Sequence, residues 1–160
     1  MENVLNKESV KRVDKDLKAF DPKLNVEVLT SSARTAIDAA NSLKCEVGAI
    51  VKSLLLKADE GFILCLVSGD KKCSLNKVKK ITGKKDVCMA KAEDVKKQTG
   101  FTIGGVSPIG LNNNLEIMID EQLSRFQDIF AAAGHPNAVF KIDFKNLNKI
   151  TKGKILDITE

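Results

Sequence analysis

The chain contains no tryptophan and no tyrosine, only three prolines, and one histidine, His135. A lone histidine cannot complete the usual zinc patterns. Nor do the four cysteines, Cys45, Cys65, Cys73 and Cys88, form a C-x-x-C pair, so neither a metal site nor a thioredoxin-type motif is expected. Free, reduced thiols are expected instead, with Cys65 in the core of the apolar run Phe62 to Val67. No stretch approaches the ~18 to 20 apolar residues of a membrane span. The opening Met-Glu-Asn-Val-Leu-Asn-Lys-Glu-Ser lacks the apolar region of a secretory signal. A cytoplasmic location, with no membrane partner, is the expectation that follows.

What is present describes a globular protein. A length of 160 residues with 43% hydrophobic and 29% charged residues suits one domain over 1–160, large enough to bury a core. The net charge is +5, but the lysines cluster. From Lys71 to Lys97 there are ten lysines against Asp86, Glu93 and Asp94, an excess larger than that of the whole chain. Such a segment can steer a polyanion to the surface, or it can be a solvated helical face.

Hydrophobic spacing sets out the elements. Val10, Val13, Leu17 and Phe20 make the stripe of an opening helix that Pro22 ends. Val26 to Leu29 reads as a short strand, and Thr30-Ser-Ser32 as the cap of a helix over 33–43. Strands over 47–57 and 62–68, joined by turn residues 58–61, predict a hairpin. A short basic helix carrying Leu75, Val78 and Ile81 ends at Gly83. A strand near 87–90 and a helix over 93–99, stopped by Gly100, follow. Strands are predicted at 115–119, 128–133, 138–142 and 155–158, with a helix at 144–150. Hairpins outnumber crossovers, which favours an α+β fold with a mixed sheet.

Three places in this frame can carry chemistry. Lys52 lies within Gly48-Ala-Ile-Val-Lys-Ser-Leu-Leu-Leu56, a strand apolar on both faces. A buried amine there needs a partner. It either snorkels to water at the sheet edge or lines a pocket for a phosphate or carboxylate. Gly104-Gly-Val-Ser-Pro-Ile-Gly110 places three glycines and a proline in seven residues. Such a turn can aim N–H groups at an anion or a carbonyl, and it matches neither a P-loop nor G-x-G-x-x-G. His135 projects from an extended turn between Gly134 and Pro136. No Ser/His/Asp or Cys/His order is apparent around it.

In combination these segments resemble the YbaK family, free-standing relatives of the editing domain inserted in bacterial prolyl-tRNA synthetases. The likeness runs from about Ala33 to Ile158. It includes Val-Lys-Ser-Leu, Thr99-Gly-Phe-Thr-Ile-Gly-Gly105 with the Gly-x-x-x-Pro loop, Asp120-Glu-Gln-Leu123 and Ala133-Gly-His-Pro136. The resemblance implies a mixed, barrel-like β-sheet surrounded by helices. It implies an aminoacyl-tRNA deacylase that hydrolyses the ester of mischarged tRNA, most often tRNA for proline carrying alanine, cysteine, serine or threonine, with no cofactor and no metal. Partners would be the tRNA acceptor end and prolyl-tRNA synthetase.

By the same resemblance Lys52, Gly104 and His135 are the catalytic positions. Lys52 would contact the terminal phosphate region of the acceptor end, Gly104 would lie near the aminoacyl ester, and His135 would shape the amino-acid pocket. Ser53, Gly105, Val106, Ser107, Pro108 and Gly134 would complete the substrate-binding surface. The ester is already activated, so a placed water and donors to the oxyanion suffice. The rival reading is a non-catalytic module that holds a tRNA end or another phosphorylated ligand, or an accessory protein of a synthetase.

Overall fold

The computed structural model describes residues 3–160. Among them eight strands form one mixed, half-barrel sheet flanked by five helices, the α+β class that the strand and helix spacing predicts. Helix α1 (Glu8–Phe20) buries Val10, Val13 and Leu17, whereas Phe20, the last residue of the expected stripe, is exposed where the helix ends. At ~1.5 to 3 kcal/mol for each fully buried aliphatic side chain, that stripe fastens the helix to the sheet. Strand β1 (Val26–Val28), helix α2 (Ala36–Leu43), the long strands β2 (Ile50–Ala58) and β3 (Gly61–Ser68) and helix α3 (Leu75–Thr82) come next. Strand β4 (Val87–Met89), helix α4 (Ala92–Thr99), strands β5 (Glu116–Asp120), β6 (Ile129–His135) and β7 (Ala138–Ile142), helix α5 (Phe144–Thr151) and strand β8 (Lys154–Leu156) complete the order.

The strands lie in the order β1-β7-β6-β2-β3-β5-β8, with β4 paired to β2 off this path. β2 and β3 are the antiparallel hairpin, turned at Asp59, whose φ of 51° suits a tight two-residue loop. β6 and β7 form a second hairpin, while β2/β6, β3/β5 and β5/β8 are parallel. Period-two alternation then sorts the side chains. Val51, Leu55, Leu64, Leu66 and Phe140 join the α1 stripe in one core. Leu56, Ile63, Cys65 and Val67 point the other way, onto Val78 of α3 and Ile158. Cys65 is buried as its apolar run predicts, and all four cysteines are free thiols.

Several boundaries differ from the spacing pattern: the strand expected from residue 47 begins at Ile50, after a 3-10 turn over Val47–Ala49, and β6 runs on through Gly134 to His135, which the pattern places in the turn. Helix α2 starts at Ala36, and its cap is Thr35, whose hydroxyl accepts from the Asp38 N–H at 3.1 Å. The chain before it is held elsewhere: Leu29 N–H donates to the Asn137 carbonyl and Ala33 N–H to the Pro136 carbonyl. Those bonds lay residues 29–33 along the β6–β7 turn rather than in a helical turn. The last strand stops at Leu156, because the Ile158 carbonyl accepts from Ser74 N–H and leaves the ladder.

β6 carries a bulge between Ala132 and His135, and α1 seats it. Ser9 Oγ donates to the Gly134 carbonyl at 2.7 Å. Gly134 has φ 91°, and a Cβ there would lie 2.6 Å from the Ser9 carbonyl oxygen. Both facts demand glycine. Gly134→Ala is therefore expected to destabilise the fold by about 1 to 3 kcal/mol. A thermal melt should show a Tm lower by several degrees, at about 2 to 4 °C per kcal/mol for a chain of this size. An unchanged Tm would mean that the bulge is not held as described.

Candidate active site

The site arises from an interruption in the sheet. On one edge β2 is paired with β3 without a break from Val51 to Ala58. On the other edge it meets β6 only at Ile50 and Val51, and β4 only from Leu56 to Ala58. The bulge in β6 bends that strand away after Ala132. Residues 52–54 are left with no strand beside them on this edge. The Leu55 carbonyl points to this side, where it accepts from Ala90 N–H at 3.0 Å. Ser53, two residues earlier, therefore directs its own main-chain groups the same way. A cavity of about 370 Å³ opens there, within the ordinary range for small-ligand sites.

Its walls come from both faces of β2, from Phe130 to Ala132 of β6, from the start of α2 and from the glycine loop. Val95, Val106 and Val139 give it an apolar floor, while the half-exposed Met89 and Ile103 stand on its rim. The charged side chains lining it are Lys52 and Arg34, and no carboxylate does so. A cavity of this kind suits a small apolar group attached to something anionic.

Lys52 is half-buried, and its ammonium donates to the Lys71 carbonyl in the turn after β3. Burial pulls it below the usual lysine range, and the negative charges of Cys73, Asp70 and Asp120 act in the opposite direction. The neighbourhood explains why a lysine is tolerated. Cys65 donates to Cys73, which lowers the Cys73 thiol and raises that of Cys65, and Lys52 also favours the Cys73 thiolate. Asp120 is fully buried and accepts from Ser68 N–H at 3.0 Å and Gln122 N–H at 2.9 Å. Beside it Arg125 grips Asp70 with two nitrogens, at 2.7 and 3.1 Å, and reaches Ser68 Oγ at 2.8 Å.

The other positions singled out in the sequence divide into two groups. Ser53, Gly104 and Val106 line the cavity with Lys52. The Ser53 hydroxyl itself is enclosed and has no hydrogen-bond partner among the described residues. Gly105, Ser107, Pro108, Gly134 and His135 lie outside the lining. Gly105 packs on the main chain of His135, where a Cβ would sit 3.0 Å from His135 Cα, and its N–H donates to the Thr102 carbonyl. Ser107 is fully buried and its hydroxyl accepts from Ile109 N–H at 3.2 Å. Pro108 faces a separate polar groove beside Asn112 to Asn114. His135 Nδ1 accepts from Asn137 N–H at 3.0 Å, which fixes the proton of a neutral ring on Nε2. Of these five residues, Gly105 and His135 meet through their main chains behind the cavity. Arg34, Phe130 and the rim residues belong to no motif, so spacing alone did not flag them.

Residues 30–150 match the aminoacyl-tRNA editing domain family, and the chain belongs to it. In class it is an aminoacyl-tRNA deacylase. A solved structure described as a proposed trans-editing enzyme for prolyl tRNA synthetase superposes with a TM-score of 0.90 at 37% identity, covering 96% of this chain and 98% of that one. Among curated proteins, Bacillus subtilis YwhH is 30% identical over 92% of this chain and 94% of its own length. A proline–tRNA ligase of Caldicellulosiruptor bescii is 32% identical over 82% of this chain, which spans only 23% of that enzyme. EbsC of Enterococcus faecalis, a proposed Cys-tRNA(Pro)/Cys-tRNA(Cys) deacylase by its name, is 28% identical over 78% of this chain and 77% of its own.

The Asp70–Arg125 pair generates a pH prediction. Hydrogen bonding to Arg125 pulls the Asp70 carboxyl down to about 2. A carboxyl depressed in the folded state stabilises above its unfolded pKa of about 4 and loses that effect as pH falls toward 2. The pair is partly exposed, so its worth is about 1 kcal/mol or less. Asp70→Asn should thus unfold at lower urea than wild type at pH 7, and the two curves should converge between about pH 4 and pH 2. A gap that stays constant over that range would refute the assignment.

Proposed function

We propose that the chain acts as one free-standing editing domain over its 160 residues, in the cytoplasm. It would hydrolyse the ester between tRNA for proline and a small non-cognate amino acid: alanine, cysteine, serine or threonine. The observation that carries this reading is the cavity itself, apolar within, positive at its edge and bounded by Gly104 where the glycine loop turns. The amino-acid side chain packs on Val95, Val106 and Val139. The ribose and phosphate lie toward the cations.

The chemistry asks little of side chains. Water adds to the ester carbonyl, and the ribose 3′ oxygen leaves with a proton, giving a free amino acid and a tRNA with its 3′ hydroxyl restored. The adjacent ribose 2′-hydroxyl can orient the water. The Gly105 N–H is occupied by the Thr102 carbonyl, so an oxyanion donor from this loop would come from Gly104 or Val106, the loop residues at the cavity. Lys52 supplies positive charge from an amine that the Lys71 carbonyl positions. His135 acts on the loop through its contact with Gly105, as a positioning residue. Selection against larger amino acids rests on pocket size, where one methylene is worth ~1 to 3 kcal/mol.

The test is a deacylation time course on proline tRNA charged separately with alanine, cysteine, serine, threonine and proline. One or more non-cognate amino acids should be released while proline is spared. Lys52→Ala should slow release by about 100-fold or more while the far-UV spectrum and melt remain those of a folded protein. Retention of tRNA on a filter with no release from any of the five would instead establish the non-catalytic binding module.

A further inference from the structure

Among the described residues two cations line the cavity, and they differ in what holds them. The Lys52 ammonium is bound to the Lys71 carbonyl, and the negative groups Cys73, Asp70 and Asp120 act on it. Arg34 is different. It is exposed, it lines the cavity, and its guanidinium has no hydrogen bond or ion pair among the described residues. Its position is nevertheless defined. The methylene stem lies across Gly104, so closely that a Cβ on Gly104 would sit 2.8 Å from Arg34 Cγ and 3.3 Å from Cδ and Nε. The glycine with φ 98° in the Gly-x-x-x-Pro loop thus leaves room for an arginine stem, not only for a ligand.

We propose that Arg34 is a substrate-binding residue, and that its guanidinium holds a backbone phosphate of the tRNA acceptor end at the mouth of the cavity. This rests on the deacylase reading above. The chemistry favours phosphate over the aminoacyl group. At neutral pH the aminoacyl group carries an ammonium, which a guanidinium repels, whereas the phosphodiester is the anion next to the terminal ribose. A planar fork of donors suits two phosphate oxygens. The stem's seat on Gly104 sets that fork beside the loop at which the ester would lie. Binding of the acceptor backbone and placement of the ester would then be mechanically joined through one contact.

The experiment uses the full chain with two substrates: the mischarged proline tRNA that wild type hydrolyses, and the same amino acid esterified to adenosine, which has no phosphate. Arg34→Met keeps the stem on Gly104 and removes the charge; Arg34→Lys keeps a charge without the fork. Arg34→Met is expected to reduce kcat/KM on the tRNA about tenfold or more, mostly through KM, as loss of a charge-assisted hydrogen bond does. The loss on aminoacyl-adenosine should be at least tenfold smaller. The slope of log(kcat/KM) against log salt should fall by about one contact, and Arg34→Lys should recover part of the loss. Equal losses on the two substrates, or a variant that matches wild type on tRNA, overturn the inference while the deacylase reading stands. A wild-type protein that hydrolyses neither substrate defeats that reading and this inference with it.

Discussion

Everything distinctive about this molecule depends on β2 having one complete edge and one broken edge. Toward β3 its ladder runs through eight residue pairs. Toward the other side it is shared between a parallel partner at its start and an antiparallel partner at its end. An unpaired stretch of central strand is normally costly, because buried main-chain donors and acceptors need partners. Here the open stretch faces a cavity, so its polar groups remain available to a ligand. Lys52 lies in this open stretch, and its ammonium is satisfied from the other side, by the Lys71 carbonyl in the turn after β3.

Keeping the gap open requires that β6 leave β2 at a fixed place. The bulge between Ala132 and His135 does this, and helix α1 holds the bulge from behind through Ser9. The same helix holds the glycine loop: Arg12 stacks 4.7 Å from the Phe101 ring centroid and donates through Nε to the Gly110 carbonyl at 3.1 Å. One helix therefore sets both the segment that ends the ladder and the loop that bounds the cavity. Gly105 and His135 meet between them. This explains why residues that do not line the cavity are tied to its shape.

The charge of the protein has two separate uses. The lysines of residues 71–97 are mostly exposed, on α3, α4 and the loops around them, and suit long-range attraction of a polyanion. Lys77 is an exception, paired with Asp157 at 2.8 Å and bonded to the Thr159 carbonyl at 2.7 Å, where it fastens the C-terminal segment. At the cavity, by contrast, two cations stand with no carboxylate among the lining residues. Diffuse attraction and local placement are distinct tasks, and different residues suit them.

The sequence by itself determined nearly every element. The Val10, Val13 and Leu17 stripe, the Asp59–Glu60 turn and the Gly83 and Gly100 helix stops act through local geometry, and they appear where spacing places them. The oddity of Lys52 and of the Gly104–Gly110 segment was equally legible, because a charge in an apolar strand and three glycines in seven residues depart from local rules. Tertiary structure alone decided which of these meet. Period-two alternation cannot reveal where a strand's second edge loses its partner, since pairing depends on residues 80 positions away in β6. It could not show that Pro108 faces another groove, or that His135 touches the loop through its main chain. Nor could it single out Arg34, an ordinary residue before a helix cap until the fold lays its stem across Gly104.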